Sequence, residues 1–153
     1  DVSLKNLWGF ADAQEFSDIS NEMWRSFALK NQAPALRKFG YACYGCCEPM
    51  DGKYDALFEE LPNIRRISVS PWANTIEAAQ RIEKNAIYSR KPNPAQVCFG
   101  FDEGELRKEL TEFVELTKDC YTEIILKDLR SCNSDPKPLV KWVDIAMEIT
   151  KGA

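Results

Sequence analysis

Residues 64–70, Ile-Arg-Arg-Ile-Ser-Val-Ser, lead straight into Pro71-Trp72 and then into Asn74-Thr75-Ile76-Glu77. Branched side chains within a short run favour extended backbone, the proline ends it, and Asn three residues before Glu is a helix-start signal. The stretch therefore reads as strand, turn, helix. The same order recurs on both sides of it. Residues 39–44 (FGYACY), 85–90 (NAIYSR) and 122–127 (TEIILK) are further β-rich runs. They are followed by the polar, proline-bearing loops Cys46-Cys47-Glu48-Pro49, Arg90-Lys91-Pro92-Asn93-Pro94 and Arg130-Ser131-Cys132-Asn133-Ser134-Asp135-Pro136. Helices are expected over about 51–60, 74–83, 102–118 and 136–150. Asp102 with Glu105 repeats the capping signal, and Asp135-Pro136 sets a cap before a proline whose missing N–H costs nothing at the first helical position. A helix over about 20–38 precedes the first strand, with Ile19, Met23, Phe27 and Leu36 available for a buried stripe and Pro34 placed to kink or end it.

One helix followed by four βα units argues for a parallel sheet with right-handed crossovers. Two architectures fit: an open, doubly wound sheet, or half of a (β/α)8 barrel. The open sheet usually carries a glycine-rich turn after its first strand, whereas here that turn is Cys46-Cys47-Glu48-Pro49 and neither GxGxxG nor a P-loop occurs. That weakens the open sheet, and on these residues alone the fold class is α/β with both architectures still open. No linker, low-complexity tract or repeat beyond the alternation itself divides the chain, so 1–153 reads as a single domain.

Composition narrows the function. With 44% hydrophobic and 29% charged residues, the chain can bury an ordinary core. Its apolar stretches fall well short of the roughly 20 residues needed to span a membrane. The net charge is −4, and Lys30, Arg37, Lys38, Arg65 and Arg66 are scattered rather than striped. Neither nucleic acid nor a membrane surface is an expected partner. The opening DVSLKNLWGF has no signal-peptide pattern and reads like the middle of a longer protein. Six cysteines without an export signal suit a reducing cytoplasm. There is no histidine, so a Ser-His-Asp triad, a Cys-His dyad and a histidine metal ligand are all excluded within this chain.

Several segments, in order along nearly the whole chain, resemble the uroporphyrinogen decarboxylase-like superfamily. They are LWGFADAQEF (7–16), YGCCEP (44–49), ISVSPWA (67–73), SRKPNP (89–94) and EIILKD (123–128). The resemblance implies a (β/α)8 barrel much longer than this chain, of which these segments would form the helix after strand four and then units five to eight. It also implies one of two activities, decarboxylation of a porphyrinogen or zinc-dependent methyl transfer linked to a corrinoid protein. In the methyltransferases a His-x-Cys after strand five and a Cys after strand eight hold the metal. Here Cys46 matches, Tyr44 stands in the histidine's place, and Cys132 lies about three residues later than the pattern asks.

Residues at the C-terminal ends of barrel strands converge on one mouth. For methyl transfer, the expected zinc ligands are Cys46 or Cys47, with Glu48 and Cys132; adjacent cysteines seldom both bind one ion. For a polyanionic, tetrapyrrole-like small-molecule substrate, Arg90, Lys91 and Arg130 would grip carboxylates. Trp8, Gln14, Trp72, Asn93, Lys127 and Asp128 are further substrate-binding candidates. Glu15 and Glu48 are the acid–base candidates, and Trp8, Gln14 and Glu15 are expected in a loop before the first helix. Trp24, Phe27, Phe58, Phe113 and Trp142 are expected in helix–sheet packing. A third expectation is an inactive fragment whose two open sheet edges drive it into a homo-oligomer, a second copy taking the place of the missing half.

Overall fold

The computed structural model describes residues 1–151. Five strands, β1 (Trp8–Ala11), β2 (Tyr41–Tyr44), β3 (Ile64–Val69), β4 (Ile87–Arg90) and β5 (Tyr121–Ile124), form one sheet in the order β1-β2-β3-β4-β5, and every neighbouring pair is parallel. Between β1 and β2 run α1 (Asn21–Trp24), a π-helical turn (Arg25–Leu29) and α2 (Lys30–Leu36). Then α3 (Tyr54–Glu60) links β2 to β3, and α4 (Thr75–Ile82) links β3 to β4. The next crossover carries α5 (Ala95–Cys98) and α6 (Glu103–Leu116), and α7 (Lys137–Lys151) follows β5.

A doubly wound sheet reverses its strand order at one point, which places helices on both faces. Here the order never reverses, so crossovers of one hand lay every helix on the same face. The pleat records this. Ala42, Tyr44, Ile67, Val69 and Tyr88 are buried beneath Leu36, Leu57, Ala78, Ile82 and Phe113 in one core. Trp8, Phe10, Tyr41 and Tyr121 point the other way and are 45%, 59%, 53% and 52% exposed. One face of the sheet is packed and the other is bare. A second, smaller core joins α6 and α7 through Leu106, Leu110, Trp142 and Ile145.

The helix starts behave as their sequence asks. Asn74 Oδ1 accepts from Glu77 N–H at 3.1 Å, Asp102 Oδ1 from Glu105 N–H at 2.9 Å and Asp135 Oδ1 from Lys137 N–H at 3.0 Å.

Three features differ from the expectation. Trp8–Ala11 is a strand paired with Tyr41–Tyr44, not part of a loop before a helix. Its four residues are too few for periodicity, and Gly9 reads as a breaker. In place, a Cβ on Gly9 would lie 2.6 Å from the Phe39 ring, so the glycine is there for close packing. Second, the buried stripe of the first helical segment runs through Trp24, Ala28, Leu29, Ala33 and Leu36, while Met23 and Phe27 are 49% and 62% exposed. Trp24 carries the largest apolar surface on the segment, and its ring meets Tyr44 edge-on at 5.9 Å; burying it sets the rotation. Pro34 lies inside α2, which ends two residues later. Third, the loop after β4 holds the short α5, which the sequence reading passes over.

If one face alone is packed, truncations on the two faces will differ. Ile67→Ala, fully buried on the helix side, should cost about 2–5 kcal/mol. Ile87→Ala, half-buried on the bare side, should cost much less. Denaturant unfolding reads both, and equal losses would mean that the second face is also covered.

Candidate functional site

The site grows from the loop after β2. Gly45 has φ +89°, a left-handed conformation, and a Cβ there would sit 3.0 Å from Ser68 O. Its N–H donates to Ala11 O at 3.0 Å. The next residue is held from both sides: Cys46 N–H donates to Glu48 Oε2 at 3.0 Å, and Ser68 Oγ donates to Cys46 O at 3.0 Å. The other oxygen of Glu48 accepts from Ala13 N–H at 3.2 Å. Glu48 is only 3% exposed, so its carboxylate clamps the loops after β1 and β2 together. Asp12 beside it has its carboxyl pushed up, first by burial and then by the negative charges of Glu48 and Glu15.

Above the bare face, at the C-terminal ends of the strands, lies a cavity of about 320 Å³ lined by Phe10, Cys43, Gly45, Cys46, Cys47, Arg66, Ser68, Ser89, Lys91, Lys127 and Asp128, among others. Small side chains make the room. Ser68 and Ser89 are register partners on β3 and β4, and Gly45 lies against Ser68. Ser89 is fully buried, and its Oγ has no hydrogen-bond partner. Such an orphan hydroxyl is uncommon.

Charge around the cavity is divided. Arg66 is committed: its Nε lies 2.7 Å from Glu123 Oε1, and its guanidinium stacks on Trp8 with a 5.1 Å separation. Lys91 and Lys127 enter no ion pair among the described residues. Lys127 Nζ instead sits 4.0 Å from the Trp72 ring centroid, and that ring is 62% exposed.

The thiols of Cys46 and Cys47 approach to 3.5 Å, and Cys47 Sγ is 4.0 Å from Asp128 Oδ2. Cys46 is pushed up to about 11 by burial, by its hydrogen bond to Cys47 and by the charges of Cys47, Asp12 and Glu48. Burial also raises Cys43, against the opposing charges of Arg66 and Lys91. Cys46 and Cys43 are thereby protonated thiols at neutral pH.

Of the residues singled out from sequence, Cys46, Cys47, Lys91, Lys127 and Asp128 come together around this cavity, with Trp72 beside Lys127. Arg90 does not. It is 7% exposed on the helix side, bonded to Glu109 at 2.9 Å and to Thr75 at 3.2 Å, with Phe113 beneath it. Successive strand side chains alternate faces, and Ser89 and Lys91 take the open side. Asn93 Oδ1 accepts from Ala95 N–H at the start of α5, and Arg130 lines a neighbouring groove with Phe99, Ser131 and Asn133. Trp8 opens β1 at the opposite end of the bare face. Gln14 and Glu15 are exposed on a 3₁₀ turn and do not line the cavity. Glu48 is spent as a clamp rather than offered as an acid or base.

Cys132 belongs to the loop before α7, where its carbonyl accepts from Asp135 N–H. Among the described residues no three His, Cys, Asp or Glu side chains are grouped closely enough to hold a metal ion. Sequence reasoning missed Ser68, Ser89, Cys43 and the Arg66–Glu123 pair. The signal for the serines was their position in alternation with Ile67, Val69, Tyr88 and Arg90.

No protein-family model, no curated protein and no solved structure matches the chain. Among the described residues no helix is long and apolar enough to cross a membrane.

Two outcomes follow from the clamp and the thiols. Glu48→Gln keeps one acceptor oxygen and turns an amide donor towards a backbone N–H, so it should cost about 1–3 kcal/mol in denaturant unfolding. An unchanged midpoint would show that the clamp is idle. Alkylation of Cys46, followed by mass spectrometry of its peptide, should keep accelerating as pH rises from the ordinary thiol value of 9.0 towards about 11. A rate that levels off at or below the ordinary value would show that the thiol is not raised.

Proposed function

We propose that the chain is the strand-four to strand-eight portion of a uroporphyrinogen decarboxylase-like (β/α)8 barrel, and that its cavity takes a small organic polyanion for decarboxylation or a related transformation. The observation that carries this reading is a cavity at the C-terminal ends of parallel strands whose two lysines, Lys91 and Lys127, stand outside any ion pair among the described residues. The sequential strand order with all helices on one side is also what a closed barrel requires, and barrel enzymes place their sites at this end of the strands. On this reading β1 takes the place of strand four, one strand more than the sequence pattern reveals.

Within the cavity the lysines would receive carboxylates as point charges. Arg90, committed to Glu109, has no part in binding. The alternative reading, methyl transfer to or from a sulfur in partnership with a corrinoid protein, draws on Cys46 and Cys47, which line the same cavity. The bare face, with Trp8, Phe10, Tyr41 and Tyr121 exposed beside two open strand edges, supports self-association of the chain.

Isothermal titration with a series of di- and tricarboxylates and with a porphyrinogen tests the reading. Lys91→Ala and Lys127→Ala should each weaken binding by about tenfold, the equivalent of about 1.4 kcal/mol. No heat with any polycarboxylate, from a folded chain, would overturn the proposal. In sedimentation the chain should run as a dimer or larger; a stable monomer would remove the self-association.

A further inference from the structure

Cysteines next to each other in extended backbone point to opposite sides. In this chain the left-handed turn at Gly45 takes the backbone out of β2, and Cys46 and Cys47 fall on the same side with their sulfurs 3.5 Å apart. The arrangement is built rather than incidental. Cys46 has its N–H held by Glu48 and its carbonyl held by Ser68, so the backbone that carries the pair is fixed on both sides. Both thiols line the cavity of about 320 Å³, with the Phe10 side chain contributing apolar wall.

We infer that Cys46 and Cys47 form a two-thiol chelating site for a trivalent, thiophilic main-group centre, of which a monoorganoarsenic(III) dihydroxide is the model ligand. Two sulfurs at this separation can bond to one such centre without a third protein ligand, and the cavity has space for its organic group against Phe10. The step is a condensation. Each S–H bond breaks and each As–OH bond breaks, two As–S bonds form, and the two protons leave with the two hydroxyls as water. Arsenic stays trivalent and no oxidant or reductant is needed. Asp128, whose Oδ2 is 4.0 Å from Cys47 Sγ, is placed to pass on that thiol's proton. Cys98 and Cys120 are differently placed: Cys98 contacts Ser131 O and Cys120 contacts Ala79 O, and among the described residues neither has a sulfur as hydrogen-bond partner. This inference does not rest on the polyanion reading.

The test uses the reduced full chain with phenylarsine oxide as probe, in excess glutathione, read by intact mass. One phenylarsenic group should stay on each chain under the monothiol and leave when 2,3-dimercaptopropanol is added. Once one sulfur is bonded, the second meets the centre at an effective concentration on the order of millimolar or more, so Cys46→Ser and Cys47→Ser should each lower retention by about 100-fold. Cys43→Ser and Cys132→Ser should leave it unchanged. In the unmutated chain the bound probe should shield Cys46 and Cys47 together from iodoacetamide, which keeps the test decisive if a serine variant folds poorly. Loss of the probe to glutathione from the unmutated chain, or loss of retention in folded Cys43→Ser, would overturn the assignment. Lys91→Ala separates the two readings, because it should weaken carboxylate binding and leave arsenical retention intact.

Discussion

A parallel strand can be reached only by carrying the chain back along the sheet, and each return here delivers it to the next position in the same direction across the sheet. Crossovers of one hand then leave helices on one side alone. Everything else in the structure depends on that. The packed side collects Ala42, Tyr44, Ile67, Val69 and Tyr88 into the core, and it also takes Arg90 into an ion pair with Glu109. The bare side is left with aromatic side chains near the strand starts, the Arg66–Glu123 pair in the middle and small residues towards the strand ends. A cavity forms where the small residues are.

The loop after β2 shows how the fold turns backbone restraint into side-chain placement. One buried carboxylate, Glu48, accepts from two loops at once, and one serine on β3 fixes the carbonyl between them. Removing a partner from a buried carboxylate is costly, so these bonds hold the loop more firmly than exposed ones would. Burial first, then the hydrogen bond to Cys47, and last the charges of Cys47, Asp12 and Glu48 raise the Cys46 thiol.

The cavity and the neighbouring ion pairs illustrate why residue type alone misleads. Arginine suits carboxylate recognition, yet Arg90 meets its carboxylate inside the protein, on Glu109, while Lys91 one residue later faces the open side. Cys132 shares a residue type with Cys46 and Cys47, but it stands in the loop before α7 and does not line the cavity. Ser68 and Ser89 carry no chemical signature in the sequence, and they matter because they are small and adjacent across β3 and β4.

Alternation of β-rich runs with capped helical stretches is a local property, written in backbone preference and capping chemistry within a few residues, and for that reason the four later strands and the starts of α4, α6 and α7 are legible in the sequence. The absence of histidine is equally local, and it means that this chain's own side chains supply no imidazole. The strand Trp8–Ala11 is different, since four residues with a central glycine acquire strand character only by pairing with Tyr41–Tyr44. The rotation of the first helical segment waits on Trp24 finding Tyr44, and the face taken by each of Ser89, Arg90 and Lys91 is set by which side the helices cover. Composition and spacing thus determine that strands and helices alternate, because those preferences act along the chain. Which residues meet in the cavity is decided by tertiary structure, because burial and pleat act across it.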